Sequence, residues 1–192
     1  MFTDRKAAQV AAFLLKKAGG SLNIVSLTKL LYLTERESMD QFGFPIIGDR
    51  MVSMPYGPVL SKTLDLANGN IESDAWEALI EDRENHNVKL RKEISREDLS
   101  AISDTNIAAI EAVWSKFGTW DKWKLVKFTH DECEEWEDPN GSSHTIPPKR
   151  VFRAVGKTQE QAEALAEEMK AQEHFDSIFG STTVREPVGG TW

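Results

Sequence analysis

Residues 29–59 read KLLYLTERESMDQFGFPIIGDRMVSMPYGPV, and the texture of the chain changes halfway along. The first part continues a helical stripe. From about Ser26, the residues Leu27, Leu30, Leu31 and Thr34 share one side at spacings of three and four, and the run stops at Phe42-Gly43. The second part has no helical period. Pro45, Gly48, Pro55, Gly57 and Pro58 interrupt it at short intervals, which predicts a structured loop with one short strand around residues 51–53. Pro58 suits the first position of a third helix, where its missing amide costs nothing, and Asn68-Gly69 ends that helix after Ala67.

Toward the N-terminus, Ala7, Val10, Ala11, Leu14 and Ala18 form one stripe over residues 3–18. Thr3 is available as N-cap, Lys16 and Lys17 occupy the last turn, and Gly19-Gly20 ends the helix. This segment imitates a signal peptide, but Gln9 breaks its apolar run and Asp4 stands where positive charge belongs, so an amphipathic helix fits better. Toward the C-terminus, residues 74–83 predict a short helix. Residues 86–94 alternate through Val88 and Leu90, predicting a single exposed strand paired with the 51–53 segment. Ser103 caps a helix carrying Ile107, Ile110, Trp114 and Phe117, closed by Gly118. Thr119 starts another, with Trp120, Trp123, Leu125 and Phe128. Residues 138–148 are a turn-rich linker, Thr158 and Gln161 make a capping box for a last helix, and GSTTVREPVGGTW reads as a tail. The expected architecture is mainly α: a compact helical domain of about seven helices with a small two-stranded β element. Residues 1–150 form the domain and residues 151–192 a C-terminal helical extension and tail.

The 192 residues are 40% apolar and 28% charged, which supports an ordinary core under a solvated surface. The net charge of -8 repels a phosphate backbone and makes nucleic acid an unfavourable partner. Lys122, Lys124 and Lys127 alternate with Trp123, Val126 and Phe128 and read as the wet face of a helix. No stretch approaches the roughly 18 apolar residues of a membrane span. Cys133 is the single cysteine, so no intrachain disulfide forms, and the compartment expected is the cytoplasm.

The densest group of chemically able side chains is residues 130–135, HDECEE. On a helix His130 shares a face with Cys133 or Glu134 but not with the whole group, and no second ligand cluster completes a zinc site. The acidic neighbours of Cys133 raise its pKa rather than activate it. No Gly-x-Ser-x-Gly elbow is present, and the glycines at 43, 48 and 57 are too far apart to cradle phosphate. The segment reads as a solvated acidic helix end, with no catalytic residue, metal or cofactor assigned. Of the six tryptophans, Trp114, Trp120 and Trp123 read as core. Trp136 is either an interface anchor or an aromatic packed under a loop, and Trp192 either an anchor or part of the tail. The 45–58 loop, stiffened by prolines, presents a surface at low entropic cost or is purely architectural. Its displayed groups are Asp49, Arg50, Met54 and Tyr56.

Taken together, Lys29 to Tyr32, Gly43 to Ile46, Gly48-Asp49 and Tyr56 to Val59 resemble the signature of the Panacea (SocA-like) antitoxin domain. Leu99-Ser100, Thr129-His130 and Trp136 match further family motifs in order, so the resemblance spans about residues 7–137 and leaves the chain beyond about residue 150 outside it. It implies a helical, non-enzymatic antitoxin. The partner implied is a cognate protein toxin encoded beside it, neutralised by direct binding or by delivery for degradation. The alternative is a phage or prophage-encoded adaptor binding a host protein. His130 and Trp136 join Asp49, Arg50, Met54 and Tyr56 as candidate partner-binding residues. The oligomeric state stays open.

Overall fold

Helix α1, Asp4–Lys17, forms where its stripe predicts. The Thr3 hydroxyl accepts from the Lys6 amide, Asp4 lies in the first turn, and Lys16 and Lys17 lie in the last, so both ends suit the helix dipole. Gly19 and Gly20, at φ +79° and +102°, turn the chain into strand β1, Ser21–Asn23. Helix α2, Ile24–Phe42, begins two residues before the expected Ser26 because the Asn23 side chain caps the Val25 amide at 3.0 Å. It is the axis of the molecule. Between residues 26 and 35 every side chain is buried, so its polar groups must find partners inside the protein. The computed structural model describes residues 2–81 and 83–179, and the expected tail, Trp192 included, lies outside the described residues.

The loop after α2 is more regular than its prolines suggest. Strand β2, Met51–Met54, pairs antiparallel with strand β3, Gly57–Leu60, with Val52 opposite Val59 and Ser53 opposite Pro58. Pro58 is therefore a strand residue and not the start of a helix. It is tolerated because β3 is an edge strand, where a missing amide breaks no ladder. Helix α3, Ser61–Asn68, follows at once.

Three further expectations are corrected. The predicted 74–83 helix is a single turn, α4, Asp74–Glu77. The residues after it are recruited by the neighbouring strand instead: the Glu81 amide donates to the Lys89 carbonyl and the Arg91 amide to that of Leu79. That strand, β4, Asn87–Lys89, pairs with β1 and not with the 51–53 segment, and Val88 is buried opposite Leu22 rather than exposed. The second neighbour of β2 is β5, His144–Thr145, inside the expected linker.

Helix α5, Asp104–Phe117, carries the predicted Ser103 cap as a full capping box with Asn106. Helix α6, Lys122–Asp131, starts at the Asp121 cap rather than at Thr119. A helix absent from the sequence reading, α7, Pro148–Ala154, uses Pro148 in its first turn. Helix α8, Gln159–Phe179, opens on the predicted Thr158–Gln161 box, with reciprocal bonds of 3.2 and 2.9 Å. The fold is mainly α: eight helices among the described residues, a short 3-10 turn at Glu97–Leu99, and two antiparallel sheets of two and three strands. One hydrophobic cluster joins Ala7 and Leu14 of α1, Leu27 and Leu31 of α2, Ile110 of α5, Phe152 of α7 and Ala162 of α8. No helix among the described residues is long and apolar enough to cross a membrane.

Candidate functional site

The signature helix α2 fastens three separate segments through side chains on successive turns. Lys29, almost fully buried, donates from Nζ to the Pro58 carbonyl at 2.8 Å and so grips β3 from beneath. Burial pushes its pKa down to about 7. One turn on, the Tyr32 hydroxyl donates to Glu135 Oε1 at 2.6 Å, and Arg36 Nε donates to the same oxygen at 2.7 Å. Burial, with Glu135 and Cys133 beside it, drives the Tyr32 phenol well above its ordinary range. Glu35, wholly buried, accepts the Ile47 amide and ties down the segment leading to the hairpin. Burial lifts its pKa to about 7 against the opposing pull of backbone donors at Ile47, Gly48 and Ile46.

Held in this way, the β2–β3 hairpin turns at Pro55-Tyr56 and lies against α6. Gly57 takes φ +94°, and a Cβ there would stand 2.7 Å from Thr129 Oγ1 and 3.1 Å from Lys29 Nζ. Only glycine allows both the backbone angle and the close approach. Trp136 closes the other side, its Nε1 donating to the Met54 carbonyl at 3.1 Å, while the Glu137 amide donates to Ser53 Oγ at 3.3 Å. His130 lies flat on Trp136, centroids 4.1 Å apart and planes within 6°. Burial and the nearby Lys29 ammonium lower the His130 pKa, favouring the neutral ring.

The tip itself is exposed. Tyr56 is 65% accessible and stands edge-on to Trp123, 58% accessible, with centroids 6.3 Å apart. The sequence predicts Trp123 in the core, but the stripe that α6 buries is Leu125, Val126 and Thr129, and Trp123 falls outside it. Trp120, in contrast, packs edge-on against Phe117 and Phe128 at 5.0 and 5.6 Å, beside the core.

Met54, Tyr56, His130 and Trp136 meet at this tip. Arg50 is exposed at the hairpin's base, bonded to Ser61 Oγ at 3.1 Å. Asp49 is not displayed: its Oδ2 accepts the Thr63 amide and hydroxyl, both at 2.8 Å, and so caps the first turn of α3 from outside the helix. The 130–135 segment is only partly a solvated end. Asp131, Glu132 and Glu134 are exposed, whereas Cys133 and Glu135 are buried, Glu135 with Oε1 accepting from the Tyr32 hydroxyl and paired with the Arg36 guanidinium. Burial first, then Glu135, pushes the Cys133 thiol up to about 12, so it is protonated at neutral pH. Among the described residues no three His, Cys, Asp or Glu side chains gather as metal ligands. The sequence reading missed the outward Trp123 and the gripping role of Lys29. The lysines flanking Trp123 on both sides were the available signal for the first.

A family model described as Antitoxin SocA-like, Panacea domain matches residues 27–137, more than half of the chain. The match begins on α2, takes in the hairpin, α5 and α6, and ends one residue past Trp136. Comparison with curated proteins and with solved structures gives no match.

Proposed function

The chain belongs to the antitoxin SocA-like, Panacea domain family, and on that ground we propose that it is an antitoxin that neutralises a cognate protein toxin by direct binding. The contact face in this reading is the hairpin tip. Its support is the exposed Tyr56–Trp123 pair, mounted on a rigid base by Lys29, Gly57 and Trp136. Large aromatic side chains on a preorganised support dominate protein interfaces, because they bury much area while losing little freedom. The chain acts here as a binding protein in the cytoplasm, without chemistry of its own.

The test is growth of cells expressing the gene encoded beside this one, with and without this protein. Arrest relieved by the wild type but not by the Tyr56→Ala/Trp123→Ala double variant is the expected result. Relief that survives both substitutions places the contact elsewhere. No arrest at all removes the antitoxin reading and favours an adaptor that binds a host protein. Following the toxin's level during rescue separates blocking, where it persists, from delivery for degradation, where it falls.

A further inference from the structure

We infer that the hairpin tip and α6 form a cationic aromatic platform that receives an acidic segment of the partner carrying an apolar side chain; that the partner is a toxin rests on the reading above. Residues 116–127 hold four lysines and one aspartate in a chain whose net charge is -8, so this stretch opposes the sign of the whole. The aspartate, Asp121, is already engaged: its Oδ1 accepts the Trp123 and Lys124 amides at 2.8 and 3.1 Å as the cap of α6.

The lysines are held ready rather than neutralised. Lys116 stands 5.0 Å over the Phe117 ring, Lys122 5.1 Å over Trp123, and Lys124 3.9 Å over Trp120. Elsewhere Lys17, Lys89, Lys92, Lys149 and Lys157 each meet a carboxylate, while Lys62 stands over the Phe2 ring as these lysines do. Within the stretch, among the described residues, Lys127 pairs with Asp131. A lysine over a ring keeps its charge available to a second partner, and the ring fixes where that charge sits. Tyr56 and Trp123, with Lys122 over the Trp123 ring, supply an apolar anchor beside a cation.

The same geometry selects against a nucleic-acid strand. Glu132 and Glu134 are exposed at the end of α6, so a long polyanion following the helix meets repulsion within a Debye length. A short segment with a few carboxylates around one apolar side chain spans the lysines and stops before the acidic end.

The experiment titrates the full chain with three labelled probes: acetyl-Glu-Glu-Leu-Phe-Glu-Glu-amide, its Lys-for-Glu counterpart, and oligothymidylate. The acidic peptide binds, weakens as salt rises, and loses about tenfold or more in affinity in Lys122→Glu/Lys124→Glu and in Trp123→Ala. Circular-dichroism melts confirm that these variants stay folded. Absence of acidic-peptide binding overturns the inference, as does affinity unchanged by the substitutions. Tighter binding of the lysine peptide or of oligothymidylate overturns it as well, the latter in favour of nucleic acid. Growth rescue reports separately on the antitoxin reading: rescue with no peptide binding sinks only this inference, and peptide binding with no toxin to rescue from sinks only that reading.

Discussion

Tyr32 and Glu135 are joined across 103 residues of sequence by a 2.6 Å hydrogen bond from a fully buried phenol to a fully buried carboxylate. Arg36 shares the same oxygen. A charge taken out of water at this cost persists only while its partners remain. Tyr32→Phe is expected to lower stability by about 1–3 kcal/mol, and Glu135→Ala, which strands Arg36, by about 3–5 kcal/mol. Urea unfolding measures both. A Tyr32→Phe protein with the wild-type midpoint would show that this bond contributes nothing.

Glycine is needed at residue 57 for two reasons and at residue 69 for one. Gly69 has φ +74° with nothing near its missing Cβ, so Gly69→Ala carries only the left-handed penalty, about 1–2 kcal/mol. Gly57→Ala adds the clash with Thr129 and is expected to cost roughly 1–3 kcal/mol more, the range of an overpacked core. Equal losses in thermal melts of the two variants would contradict the close packing of the tip on α6.

The Glu35 carboxyl predicts a pH dependence of definite sign. Its folded pKa is raised from 4.5 to about 7, so the folded chain holds this proton more tightly than the unfolded chain does. The resulting stabilisation is complete below about 4.5 and is lost as the pH rises through about 7. Glu35→Gln keeps an oxygen for the Ile47 amide and removes the titration. Relative to wild type it should gain on the order of 3 kcal/mol between pH 4 and pH 8. An unchanged difference between the two pH values refutes the assignment.

Trp136 ties the hairpin to the 130–136 segment through its bond to Met54, and the stack on His130 within that segment holds its ring. Trp136→Phe deletes the bond, at a cost of about 1 kcal/mol, and should speed amide exchange in β2 and β3 more than in α1. In contrast, Tyr56→Ala and Trp123→Ala remove exposed rings and should move the unfolding free energy by no more than about 0.5 kcal/mol. A large loss of stability in either would mean that the tip is structural rather than presented.

Much of this was legible from local chemistry. Helices with caps and one apolar stripe, α1, α5 and α8, form where Thr3, Ser103 and Thr158 place them, because a cap and a period are both short-range signals. The hairpin was half legible. The proline and glycine spacing marked residues 45–58 as ordered, but Pro58 has two acceptable settings, the first turn of a helix or an edge strand. The edge-strand setting comes with partners that no local signal reveals: Ser53 across the ladder and Lys29, 29 residues away, on its carbonyl. Strand partners were read wrongly for the same reason: three-residue strands such as β4 carry too few side chains to specify a neighbour. Asp49 and Trp123 exchanged places between surface and interior. Asp49 lies inside, where it serves α3, a helix with no side-chain cap of its own, and Trp123 lies outside the Leu125, Val126 and Thr129 stripe that α6 buries.

The position of Cys133 gives the protein an internal clock. Thiol-modifying reagents attack the thiolate, and this thiol is both sealed from solvent and held protonated, its pKa near 12. Modification must therefore wait for an opening that exposes Cys133, and the labelling rate reports how often, or for what share of the time, it is open. Because the chain has a single cysteine, that rate needs no mutagenesis to interpret. A partner that clamps the hairpin against this segment will slow the clock, and the slowing measures its grip without any need to know its identity beforehand.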